Sequence, residues 1–180
     1  VLACRNGRRH GQSDTYEPIG WENHAALGLS IGCLWRYDTD RYEFFDAHTL
    51  EATMRELVEQ QPLLVSFNGL QFDFPLMEVV LLQTCPAPDD WRPGGALNGL
   101  LPAWHAVCSG SYDILAEIWS VDPDRKFERG LNSLGTLSQA NGYGAKEMDG
   151  ATAPRLWAQG HHAEVANYCM SDVWKTRRLF

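Results

Sequence analysis

No Cys-x-x-Cys pair occurs in this sequence, and its five cysteines (Cys4, Cys33, Cys85, Cys108 and Cys169) are scattered and odd in number. Such spacing excludes a disulfide framework. Without a signal-peptide pattern it points to a reducing, intracellular setting, cytoplasmic or nucleoid/nuclear. No apolar run is long enough to span a bilayer, so no membrane partner is expected. Positive charge is in deficit: 15 Lys and Arg against 23 Asp and Glu leave a formal net charge of -8. Long-range attraction to nucleic acid therefore cannot come from the molecule as a whole; it needs local basic patches or a larger partner. Repeats and low-complexity tracts are absent too.

What is present is an ordinary globular composition, 44% hydrophobic and 21% charged, long enough to bury one sizeable core. A single domain over 1–180 is expected. The chain begins at Val1 and ends on Phe180 inside a helical pattern, which reads as a fragment or ordered part of a longer protein. Residues 26–37 and 42–45 form apolar runs separated by Asp38-Thr39-Asp40, the signature of an antiparallel hairpin. Leu50, Met54 and Leu57 recur at helical spacing and predict a helix over 49–60. Residues 63–67 then read as a buried strand with a helix on either side, hence a parallel strand in an α/β layer. Further helices are predicted at 74–82, 113–119, 131–139, 154–159 and 161–180. The Pro- and Gly-rich stretch 86–100 reads as an irregular insertion.

The segment Phe67-Asn68-Gly69-Leu70-Gln71-Phe72-Asp73-Phe74-Pro75 admits two readings. In one, Asn68-Gly69 is a turn and Asp73 caps or opens a helix that Pro75 begins. In the other, Asp73 sits at the C-terminal end of a central strand, where a carboxylate can hold a metal ion. Near the other end of the chain, Tyr168 and Asp172 lie four residues apart on a predicted helix and so share one face. A phenol of ordinary pKa near 10 is a poor base, so positioning water suits Tyr168 better than deprotonating it.

Taken together, Asn68-Gly69-Leu70-Gln71-Phe72-Asp73 and Tyr168-Cys169-Met170-Ser171-Asp172 resemble the second and third motifs of DEDDy-type 3′-5′ exonucleases of the ribonuclease H-like superfamily. The resemblance covers most of the chain after about residue 25. It implies an α/β, ribonuclease H-like fold: a mixed central sheet, antiparallel in its first strands and then parallel, flanked by helices. It also implies Asp73 and Asp172 as ligands of Mg²⁺ or Mn²⁺, Tyr168 as the catalytic tyrosine, and the single-stranded 3′ end of a nucleic acid as partner. Asp113 falls in a segment that lies near the site in such enzymes without being a main ligand. Asn68 would contact the substrate. Trp21 would stack on a base or else cover a sheet edge, and Arg125, Lys126 and Arg129 would meet phosphates or else be solvated.

The family's first motif, Asp-x-Glu on the first strand, has no counterpart here. If 1–5 is that strand, Ala3 stands in place of the aspartate and Arg5 in place of the glutamate. Arginine can neither ligate a metal nor deprotonate. The sequence therefore predicts a domain with impaired or lost two-metal hydrolysis, a pseudoenzyme that binds nucleic acid or scaffolds a larger assembly with no need of a metal. The alternative is an active Mg²⁺- or Mn²⁺-dependent 3′-5′ exonuclease on single-stranded DNA or RNA. Reversing the charges of Arg125, Lys126 and Arg129 together is expected to weaken single-strand binding in a fluorescence-anisotropy titration, and unchanged affinity would remove them from the interface.

Overall fold

Two short ladders carry the strands of this computed structural model, which describes residues 23–84, 96–124, 130–148 and 150–180. Strands β1 (Gly32–Arg36) and β2 (Arg41–Phe45) form an antiparallel hairpin with Gly32 opposite Phe45 and Arg36 opposite Arg41. Strands β3 (Val65–Ser66) and β4 (Tyr112–Asp113) pair in parallel, Ser66 opposite Asp113. The helices among the described residues are α1 (Leu50–Gln60), α2 (Asp73–Thr84), α3 (Ala96–Ser109), α4 (Ile114–Val121), α5 (Leu134–Ala140), α6 (Ala153–Ala158) and α7 (His162–Leu179). The architecture is thus mixed α/β, with one antiparallel and one parallel ladder.

The helical periodicity of the sequence translates directly into burial. Leu50, Met54 and Leu57 of α1 are all buried, and α1 ends at Gln61, whose left-handed backbone (φ 47°) closes the helix through a hydrogen bond to Leu57. Helix α2 is apolar on most sides and buries Phe74, Leu76, Met77, Val80 and Leu81. These residues, Phe45 of the hairpin and Trp104 of α3 make the main core. Arg36 couples the hairpin to α1: its guanidinium donates to Glu43 on β2, to Glu56 at 2.7 Å and to Gln60 at 2.9 Å. Helix α7 runs along β1 and also touches β3, α5 and α6. Val165 and Tyr168 join Ala153 in a second, smaller apolar cluster.

Four expectations are revised. The run 26–37 is not one strand: His24–Ala26 is a 3₁₀ turn capped by the Asn23 side chain, and the hairpin strand spans only Gly32–Arg36. The strand expected over 63–67 pairs at Val65–Ser66 alone. Residues 96–100, expected to be irregular, belong to α3, because Leu97, Leu100 and Trp104 recur at helical spacing and are buried, which outweighs Gly99 and Pro102; residues 85–95 lie outside the described residues. Among the described residues the ladders are two separate pairs rather than one continuous sheet.

Asp113 ends β4 and caps α4, although the sequence pattern placed it inside a helix. It is 2% exposed and its carboxylate accepts five hydrogen bonds. The backbone N–H groups of Leu115 and Ala116 donate to Oδ1 at 3.0 and 3.1 Å, the capping geometry of a helix start. The Asn68 N–H adds a third bond to Oδ1 at 3.1 Å, while Ser66 Oγ (2.9 Å) and the Leu70 N–H (3.1 Å) bind Oδ2. One buried carboxylate thus fixes a helix start, a strand end and the turn that leads to Asp73. Replacing it by alanine leaves those donors without an acceptor, and Asp113→Ala is expected to cost at least about 3 kcal/mol in urea unfolding, with Asp113→Asn costing less. A loss below about 1 kcal/mol in the alanine variant would show the network to be dispensable.

Candidate functional site

The turn after β3 is built to present Asp73. Asn68 adopts a left-handed backbone (φ 66°), a conformation that asparagine tolerates better than most residues, and its carbonyl accepts the Phe72 N–H. Gly69 is required by space: a Cβ there would lie 2.6 Å from the Ser66 side chain. Phe74 N–H returns to the Gly69 carbonyl at 2.9 Å, and Asp73 becomes the first residue of α2. Asp73 is therefore the opening residue of a helix, seven positions after β3 ends at Ser66, and not a residue of the strand end itself.

Asp73 shares a cleft of about 1190 Å³ with Asn68, Lys146, Tyr168 and Asp172. The cleft runs between β1 on one side and the β3 segment on the other, with α7 along it. Asp73, Tyr168 and Asp172 are 7%, 3% and 8% exposed. Asp73 and Asp172, far apart in sequence, line the same cleft. Burial raises the Asp73 carboxyl from 3.8 to about 6, and the charges of Asp113 and Asp172 push the same way while Lys146 opposes them. No described residue donates a hydrogen bond to the Asp73 carboxylate.

Lys146 is a cleft residue that sequence reasoning missed. It projects from the stretch between α5 and α6, its side chain about one-third exposed, and its ammonium donates to Asp172 Oδ2 at 2.7 Å and to the Tyr168 hydroxyl at 3.0 Å. Burial works against its charge, but the Asp172 carboxylate more than offsets this and holds its pKa above the ordinary lysine value. Tyr168 is shifted upward, first by burial and then by the negative charge of Asp172, with Lys146 pulling the other way. At neutral pH the site therefore holds an ammonium and a protonated phenol. The one available signal in the sequence was that Lys146 is the only basic residue between Arg129 and Arg155.

The other oxygen of Asp172, Oδ1, is buried and has no hydrogen-bond partner. An orphaned carboxylate oxygen sharing a cleft with a second buried carboxylate suits a hard divalent cation, which takes oxygen ligands. Among the described residues no group of three or more His, Cys, Asp or Glu is placed to hold a metal ion.

Of the remaining sequence candidates, Asp113 sits behind the Asn68 turn and acts on it rather than lining the cleft. Trp21, Arg125, Lys126, Arg129, Ala3 and Arg5 lie outside the described residues. The basic group near the end of α7 is not a free cationic surface. Lys175 is buried against Ser171, Arg177 lies over the Trp35 ring (3.9 Å to its centroid), and Arg178 lies over Trp174. No described helix is long and apolar enough to cross a membrane.

Residues 34–180 match the model of a protein family described as predicted 3′-5′ exonuclease related to the exonuclease domain of PolB. No curated protein and no solved structure matches the chain.

The upward shift of Asp73 carries a pH signature. Its folded-state pKa exceeds the unfolded one, so between about pH 4 and 6 the folded chain holds the proton more tightly, and this group's contribution to stability falls as pH rises through that window. In EDTA, Asp73→Asn is therefore expected to raise stability at pH 8 by roughly 1–3 kcal/mol and to give no gain near pH 4. A gain that does not vary with pH in thermal or urea unfolding would contradict the assignment.

Proposed function

We propose that this chain, which belongs to the family of predicted 3′-5′ exonucleases related to the exonuclease domain of PolB, is a DEDDy-type exonuclease domain of ribonuclease H-like fold that removes nucleotides from the 3′ end of single-stranded DNA or RNA. The observation that carries this reading is the buried, unpartnered Oδ1 of Asp172 in the cleft that also holds Asp73. A buried carboxylate oxygen with no partner costs stability, and a site without chemistry gains nothing from it.

In this reading Asp73 and Asp172 hold Mg²⁺ or Mn²⁺. When bound, such ions polarise the scissile phosphate and offset charge on the departing 3′ oxygen. Tyr168 keeps its proton and orients the attacking water by hydrogen bonding, its own oxygen being anchored by Lys146. Lys146 also stands ready to meet a phosphate, its ammonium being charged and reachable from solvent. Asn68 lines the cleft where the strand end would enter, and Trp21, Arg125, Lys126 and Arg129 would extend the contact by stacking and phosphate binding. A nucleic-acid substrate implies an intracellular setting, cytoplasmic, nucleoid or nuclear.

A second reading, a noncatalytic domain that binds nucleic acid or scaffolds an assembly, is favoured by one fact. The described residues provide too few ligands for two metal ions, and Ala3 and Arg5 stand in the segment expected to supply the others.

Incubation with 3′-extended, 5′-labelled single strands of DNA and RNA in Mn²⁺ separates the two. Under the first reading wild type shortens the strand from its 3′ end, and Asp172→Asn slows this by more than about a hundredfold, since even residues supporting a metal ligand account for 10–100-fold. Tyr168→Phe is expected to lower the rate while leaving strand affinity intact. Binding by wild type with no shortening would establish the second reading.

A further inference from the structure

The two oxygens of Asp172 are in different states. Oδ2 is engaged by the Lys146 ammonium at 2.7 Å, whereas Oδ1 is buried with no partner. The lysine arrives from a surface stretch, and its stem passes close over α5. An added Cβ on Gly135 would sit 3.1 Å from Lys146 Cγ, so the absent side chain at 135 leaves the path that the stem follows. The ammonium also lies 5.3 Å from the centroid of the Tyr168 ring and 3.0 Å from its hydroxyl. A fixed positive charge is therefore held against the carboxylate that is the natural ligand of a second cation.

We propose that Lys146 is a resident counter-ion that competes with a divalent cation for Asp172, so that it sets the cation affinity of the cleft and couples that affinity to substrate. The inference rests on the reading of Asp172 as a cation ligand. Like charges at ion-pair range repel strongly in a site of reduced dielectric, and the repulsion doubles for a divalent ion. In this proposal the lysine side chain, one-third exposed on a flexible four-carbon stem, turns from Asp172 toward an incoming phosphate. Phosphate would then remove the repulsion and add negative charge, so strand and cation bind more tightly together than apart, and by linkage each strengthens the other equally.

Binding of Mn²⁺ alone, followed by calorimetry and by the loss of the free-ion electron paramagnetic resonance signal, tests this on the 180-residue chain. Lys146→Met and Lys146→Gln are expected to bind Mn²⁺ about tenfold more tightly than wild type, while Lys146→Arg, which keeps the charge, stays near wild type. Asp172→Asn is expected to lose that binding in either background. Unchanged or weaker Mn²⁺ binding in both neutral variants, or equal tightening in Lys146→Arg, overturns the role of Lys146 while leaving Asp172 as a ligand. Binding that survives Asp172→Asn, or no Mn²⁺ binding by wild type and the neutral variants alike, overturns the cation reading of Asp172 and the proposal with it.

Discussion

Five donors meet one buried carboxylate at Asp113, and the candidate site depends on that meeting. Two of the donors are orphan N–H groups at the start of α4. The others are the Ser66 hydroxyl and two N–H groups of the turn that begins at Asn68. Neither the strand nor the turn is long enough to hold itself in place: β3 pairs over only two residues, and Asn68 sits in a left-handed conformation. An ionised acceptor makes stronger hydrogen bonds than a neutral one, and burial removes the competing water. The carboxylate therefore does for this turn what a longer ladder would do elsewhere, and Asp73 inherits its position from it.

The cleft shows the opposite principle, polar groups left deliberately under-satisfied. Asp73 has burial and two neighbouring acids working against its ionised form, and the charge of Lys146 works in its favour. Asp172 has one oxygen paired and one not. Such an arrangement is stable only because the surrounding helices are well packed: Tyr168 is wedged beside Val165 and Ala153, and α2 is anchored by five buried apolar residues. Packing at the back of the site supplies the stability that its electrostatics withdraw.

Much of this was legible in the sequence where local rules decide. The heptad-like spacing of Leu50, Met54 and Leu57 gave α1, and the four-residue separation of Tyr168 and Asp172 put them on one face of α7. The pairing of an Asn-Gly turn with a following acid marked Asp73. What escaped was whatever depends on distant partners. Asp113 looked helical because the residues after it are, and nothing local reveals that its side chain reaches back 45 residues to Asn68. Lys146 stands in a polar stretch of no periodicity, and its role exists only after α7 has docked. Helix α3 was hidden by Gly99 and Pro102, local penalties overruled by the burial of Leu97, Leu100 and Trp104.

The candidate site draws Asp73, Lys146, Tyr168 and Asp172 from distant parts of the chain, and its supporting acceptor from Asp113. During synthesis the acid at 73 emerges about a hundred residues before its counterparts on α7, and the nascent chain carries the parts of the cleft without the cleft itself. Whatever chemistry the completed pocket performs, the ribosome and its messenger are spared it until the closing helix has left the exit tunnel.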